Sequence, residues 1–272
     1  FSFLHRTHVN LIIMNSSKAF IISGFVLLLM FCIVYVAYGY NSEKSDVLTQ
    51  ANNPKSFNSF TDPRDGNVYK VVKIGEQVWM AENLRYLPSL AGSDMSRIEP
   101  CYYVYGYEGT NVEEAKATKN YKTYGVLYNW NAAFYACPEG WHLPSDAEWA
   151  QLVDFIGGEE IAGGKLKEAG TARWDKPNTG AINKFGFTAL PCGIYFKEFI
   201  GIGSFGLWWT ATLDDNPYYD MLTHKLINDY ALIRMINYDE NNVDCAFTDT
   251  NSGLSVRCVK NVTVVIGFNS AN

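Results

Sequence analysis

The spacing of apolar positions changes several times along the chain, and each change marks an element. Ala19 to Tyr38 form an apolar stretch long enough to cross a bilayer. Asn41 to Phe57 are polar and read as a tether. After the turn at Asp65-Gly66, alternation takes over. Val68 to Ile74 and Gln77 to Met80 read as two short strands around Gly75-Glu76. Helical spacing then appears twice. Leu127, Trp130 and Phe134 mark a first helix ending before Cys137-Pro138. Trp149, Leu152, Val153 and Ile156 form an i, i+3, i+4, i+7 stripe. Ser145 with Glu148 supplies a capping box at the start of that second helix, and Gly157-Gly158 stops it. From Gly163 onward, glycines and short apolar runs replace helical spacing. Phe187 to Leu190, Trp208 to Thr212, Tyr230 to Ile236 and Leu254 to Val259 read as late strands. Two helices in the first half and a strand- and loop-rich second half predict an α+β domain over 58–260, followed by a tail at 261–272.

Several blocks in this pattern are distinctive together. They begin with Asp62-Pro-Arg-Asp-Gly-Asn-Val-Tyr69 and Ile74-Gly-Glu-Gln-Val-Trp-Met-Ala-Glu-Asn-Leu84. Next come Tyr124-Gly-Val-Leu-Tyr-Asn-Trp-Asn-Ala-Ala133, Cys137-Pro-Glu-Gly-Trp-His-Leu-Pro-Ser145 and Gly163-Gly-Lys-Leu-Lys-Glu-Ala-Gly170. Asn178-Thr-Gly180, Gly186-Phe-Thr-Ala-Leu-Pro191, Gly206-Leu-Trp-Trp-Thr-Ala-Thr212 and Gly253-Leu-Ser-Val-Arg-Cys-Val-Lys260 complete the series. In this order the blocks resemble the Fibrobacter major paralogous domain (FISUMP), a bacterial surface module. The resemblance implies a C-type-lectin-like fold and no defined activity.

Lys18 precedes the apolar stretch and Glu43 and Asp46 follow it, so the charge bias predicts an amino end inside and the domain outside. Residues 1–40 read as upstream residues (Phe1 to Ile13, before Met14) followed by an export segment. Ala37-Tyr-Gly39 offers small residues for cleavage after Gly39, while an uncleaved segment would make the membrane a partner. Five cysteines follow Cys32, none in a C-x-x-C pair. Outside the cytoplasm these favour disulfides over metal ligation. The expected pairs are Cys137 with Cys258 and Cys192 with Cys245. Cys101 is expected free, because Tyr121-Lys-Thr123 stands where family members often carry its partner.

The net charge of −6 argues against nucleic acid, which demands a basic face. Fifteen per cent aromatic content with seven Trp supports a dense core and an aromatic surface. Neighbours in a strand face opposite ways. Trp208 and Trp209 are therefore either both core by different faces, or one of them, Trp209, is a sugar-stacking platform. In the segment 214–244, fifteen of thirty-one residues are Asn, Asp or Tyr. Turn geometry favours Asn and Asp but does not explain the Tyr, whereas recognition loops combine all three. The candidate ligand-binding set is Trp209, Asp214, Asp215, Asn216, Tyr218, Tyr219, Asp220, Asn237, Tyr238, Asp239 and Asn241. Carbohydrate, or else protein, at the cell surface is the expected ligand.

No cofactor or metal is expected, since the sugar-binding lectin signatures for calcium are missing and no ligand spacing links His142 to His224. His142 reads as structural. Cys245 invites comparison with the formylglycine-generating enzymes, which resemble the same lectin class. Asp244-Cys-Ala-Phe247 offers no cation to activate the thiol, so the module is expected to be non-catalytic.

Overall fold

The computed structural model describes residues 58–215, 218–220, 225–227 and 229–261, the two short middle stretches as backbone only. The expected export segment, the tether and the tail beyond Asn261 lie outside the described residues. No described helix is long and apolar enough to cross a membrane.

The domain is α+β and is built on two sheets. The smaller one has the order β1-β2-β3-β15-β6, all antiparallel. It joins β1 (Asn58–Thr61), β2 (Val68–Ile74) and β3 (Gln77–Met80) to β6 (Trp141–His142) and β15 (Val259–Lys260). The larger sheet comprises β4 (Tyr102–Tyr103), β5 (Leu127–Tyr128), β9 (Phe205–Leu213), β12 (Tyr230–Asn237), β13 (Asp244–Asp249) and β14 (Leu254–Ser255). Its order is β13-β12-β9-β14-β5-β4, with the hairpin of β7 (Cys192–Phe196) and β8 (Glu198–Ile202) joined to it through β9. A separate hairpin, β10 (Tyr218–Asp220) with β11 (Lys225–Ile227), is inserted between β9 and β12.

Five helices are described: α1 (Val112–Ala117), α2 (Lys119–Tyr124), α3 (Trp130–Ala136), α4 (Asp146–Ile156) and α5 (Glu159–Leu166). In α4 the Ser145 hydroxyl accepts from the Glu148 amide at 3.3 Å, and the Glu148 carboxylate accepts from the Ser145 amide at 2.9 Å. Its buried face is Trp149, Leu152, Val153 and Ile156, as the spacing predicts. The first expected helix is shorter than its apolar spacing suggests. Asn129 caps α3 by accepting from the Ala132 amide at 3.0 Å, and Leu127 joins β5 instead. The capped pair α1 and α2, begun by Asn111 and Thr118, has no counterpart in the apolar pattern.

Three further expectations are corrected. Glycines at 163 and 164 suggested a loop, yet both lie inside α5. A Cβ at Gly163 would collide with the Asn242 carbonyl, so close backbone approach overrides poor helix propensity there. The run Leu254 to Val259 is not one strand. It crosses from the large sheet to the small one, with the Leu84 amide on the Val256 carbonyl at 2.9 Å and the Met80 amide on the Cys258 carbonyl at 3.0 Å. Phe187 to Leu190 likewise forms only a bridge, Lys167 to Ala189.

The described apolar residues form three clusters, the smallest around Tyr103, Leu127, Cys192 and Tyr195, and the large sheet separates the two larger ones. Trp209, Tyr128, Leu254 and Ile233 lie in one. Trp208, Trp79, Trp149, Trp174 and Phe187 lie in the other, where the Trp79 and Trp149 rings are 5.0 Å apart. Cys137 and Cys258 are disulfide-bonded with Cα atoms 5.9 Å apart, which ties the end of α3 to the crossing segment. The pair Cys192–Cys245 does not form: Cys192 is buried and Cys245 is exposed on β13, and both are free, as is Cys101.

Candidate functional site

Both indoles of the Trp208-Trp209 pair are fully buried. Trp209 donates to the Tyr128 carbonyl at 2.6 Å, and Trp208 donates to the Asn83 side chain at 3.0 Å. Alternation sends them to opposite faces, but each face has its own core. Trp209 is therefore not a stacking platform.

The other described candidates, Asp214 and Asp215 on one side and Asn237, Tyr238, Asp239 and Asn241 on the other, lie at opposite ends of one strand. β12 runs through the middle of the segment, and its eight residues at roughly 3.3 Å each separate the ends by about 23 Å. At the first end, the Asp214 amide donates to the Tyr230 carbonyl at 2.9 Å, and Asp215 is exposed. The backbone of Tyr218, Tyr219 and Asp220 pairs with Ile227, Leu226 and Lys225 in the β10–β11 hairpin. Asn216 and the side chains of Tyr218, Tyr219 and Asp220 lie outside the described residues.

At the other end, Asn237 closes β12 and residues 238–241 form a loop, both fastened to the scaffold. The Lys167 ammonium, fully buried, donates to the carbonyls of Asn237 at 2.9 Å and Glu240 at 2.7 Å. Burial pulls the Lys167 pKa down to about 8, although Asp239 and Glu240 work against that shift. The Asn237 side chain donates to Glu240 at 2.9 Å. The Asn241 carbonyl accepts from the Gly164 amide at 3.0 Å, and a Cβ at Gly180 would collide with the Asn241 side chain. Tyr238 packs on the second core. Asp239 alone of this group is exposed without such a fixture.

A second polar node, not anticipated from the sequence, sits between the cores. Arg257 is fully buried and has no carboxylate in hydrogen-bonding contact. Its guanidinium donates to the Asn83 side chain at 2.8 Å and to the Phe187 and Thr188 carbonyls, and its centre lies 4.2 Å from the Phe187 ring centroid. Asn83 also receives the Trp208 indole and donates to the Tyr124 carbonyl at 3.1 Å and to Cys192 and Ser255. Burial lowers the Arg257 pKa to about 9 and raises that of the Cys192 thiol to about 11.

A family model, that of the Fibrobacter succinogenes major domain, matches residues 72–260. The chain belongs to this family. Neither the curated proteins nor the solved structures give a match. The Fibrobacter succinogenes major domain match runs from within β2 to the end of β15, leaving β1 outside. Asn83, Phe187, Trp208 and Arg257 of the second node and Lys167 of the first all lie within residues 72–260. A charged residue inside the buried alternation Leu254 to Cys258 was the available signal for Arg257.

The reactive residue types are also engaged structurally. His142 bridges Glu148 at 2.7 Å and Asn261 at 2.6 Å, one partner on each ring nitrogen. Burial works to raise the Glu148 pKa, but hydrogen bonds from Ser145 and His142 hold its carboxyl below the usual range. Cys245 does have a cation beside it, since Arg234 faces it across the β12–β13 ladder. Even so, burial pushes the thiol pKa up, and Asp146 at 3.6 Å adds to that shift. Among the described residues no group of three His, Cys, Asp or Glu side chains is placed to hold a metal ion.

Proposed function

We propose that this chain is an exported, non-catalytic recognition module of the C-type-lectin-like class, with the β10–β11 hairpin and its approach at Asp214 and Asp215 as the ligand-binding surface. The observation that carries this reading is the separation of roles along one segment. The stretch 237–241 is fastened by Lys167 and the glycines of α5, whereas Asn216 to Asp220 belong to an insertion between neighbouring strands. Variable polar and aromatic loops on a rigid frame are how recognition surfaces are commonly built. The Cys137–Cys258 disulfide supports an oxidising compartment. The raised thiol of Cys245 and the doubly bonded His142 support the non-catalytic half of the proposal.

Carbohydrate is the ligand class we assign, because Tyr rings with Asn and Asp side chains suit hydroxylated rings. With Trp209 buried, Tyr218 and Tyr219 are the aromatic residues left to provide stacking. Screening the purified chain on a glycan array tests this. Specific retention of a glycan is expected, and retention of none across a broad array would count against carbohydrate as the ligand.

A further inference from the structure

We propose that the hollow between the β2–β3 turn and α4 holds a single pyranose ring of an uncharged glycan. This subsite is built on other elements than the hairpin surface and does not depend on it. The hollow has a volume of about 120 Å³ and is lined by Ile74, Gly75, Glu76, Gln77, Gln151 and Phe155. A cavity of about 150 Å³ accommodates benzene. The hollow is therefore of the size for one six-membered ring, with outer hydroxyls in its open mouth, and too small for a peptide strand.

Phe155 is its apolar wall. The ring lies off the buried stripe of α4 and is 52% exposed, yet its position is fixed from two sides. Gly75, at φ +61°, leaves it room, since a Cβ there would stand 3.0 Å from Cδ2 of the ring. Phe185 meets the same ring edge to face, with centroids 6.2 Å apart. A ring held in this way packs on the C–H face of a sugar and loses little freedom in doing so.

Gln77 orders the polar lining. Its amino group donates to the Glu148 carbonyl at 2.9 Å and to the Gln151 side-chain oxygen at 3.2 Å, and its own oxygen accepts from the Trp79 indole at 3.1 Å. With its oxygen drawn to Gln77, Gln151 turns its amino group the other way, and that group donates to no described residue. Glu76 adds a carboxylate, paired with Lys73 at 3.7 Å between two exposed side chains, a contact of little strength. N–H donors, carboxylate acceptors and an aromatic ring thus line one hollow. Sugar hydroxyls both donate and accept, so they match this set. One carboxylate is too few oxygen ligands for a metal ion, and its charge opposes acidic ligands, which leaves a neutral ring as the fit.

A ligand of about twelve heavy atoms in such a site has a dissociation constant on the order of 1–10 mM. That is too weak to retain a glycan alone, so retention still depends on the hairpin. NMR titration of the full chain with the methyl pyranosides of glucose, galactose and mannose reads the contact directly. At least one should give saturable shifts in the Gln151 side-chain amide and the Gly75 and Glu76 backbone amides below about 50 mM. The corresponding methyl uronide should bind at least about threefold more weakly, a gap that Glu76→Gln should close. Phe155→Ala should weaken binding by about tenfold. Absence of saturable shifts at these residues with all three glycosides, or equal binding of the uronide, would overturn the proposal. So would shifts caused by p-cresol, a tyrosine side-chain mimic, and by no glycoside. Shifts confined to residues 214–230 would leave the hairpin reading intact and overturn this one. The titrations use the unaltered chain, so they decide the matter even where a variant fails to fold.

Discussion

Asn83 holds more of the interior together than any charged residue near it. Its side-chain oxygen accepts from Arg257 and from the Trp208 indole, and its amide donates to Tyr124, Cys192 and Ser255. Removing it takes the acceptor from the buried Trp208 indole and leaves the buried guanidinium only the Phe187 and Thr188 carbonyls. Asn83→Ala should therefore destabilise the domain by about 3 kcal/mol in urea unfolding. A loss under about 1 kcal/mol would mean that water or a backbone carbonyl takes the place of the amide. This node was hidden from sequence reading because Asn83 and Arg257 are 174 positions apart. Each looks unremarked in its own block, and the pairing exists only once the crossing segment after β14 passes between the two sheets.

At the scale of elements, local signals were legible and non-local ones were not. The α4 cap and stripe depend on residues within one or two turns, so Ser145, Glu148 and the four apolar positions could be assigned directly. Ser145→Ala should cost about 1 kcal/mol and lower the urea midpoint, and an unchanged midpoint would show that Glu148 and His142 secure the helix start without it. The strands β2 and β3 were equally legible, because alternation around Gly75-Glu76 is local. α5 was not, since its glycines answer to residues 241 and 242 and not to their own helix. The division of the candidate site was partly legible. The expected strand Tyr230 to Ile236 already lay between its halves, and a strand of that length holds its ends far apart. The disulfide is the long-range link that the cysteine count made accessible. It closes a loop of 121 positions, so Cys137→Ser with Cys258→Ser should cost about 4 kcal/mol in urea unfolding. A cost near zero would mean that the crossing segment holds its place without the bridge.

For the whole molecule, buried cations shape the dependence of stability on pH. The Lys167 pKa is about 8 folded and 10.5 in the unfolded chain. Between those values the unfolded chain keeps a proton that the folded chain has released, so stability rises with pH through that window. Arg257, lowered to about 9, adds to the rise from there upward. The buried Cys192 thiol, raised to about 11, opposes that rise from about pH 9 upward, and buried Tyr69, Tyr103 and Tyr128, whose pKa values are also raised, oppose it above about pH 10, because the unfolded chain loses these protons first. Urea midpoints should increase from pH 8 to pH 10, and Lys167→Gln should flatten that rise; an unaltered slope would show that Lys167 does not titrate there. The central claim concerns which end of β12 meets the ligand. The most direct measurement compares glycan binding and melting temperature of Tyr218→Ala with Tyr219→Ala against those of Tyr238→Ala. The double variant should lose binding at an unchanged melting temperature, while Tyr238→Ala should melt lower and still bind when folded. Full binding by the double variant, or binding lost in Tyr238→Ala at an unchanged melting temperature, would contradict the account.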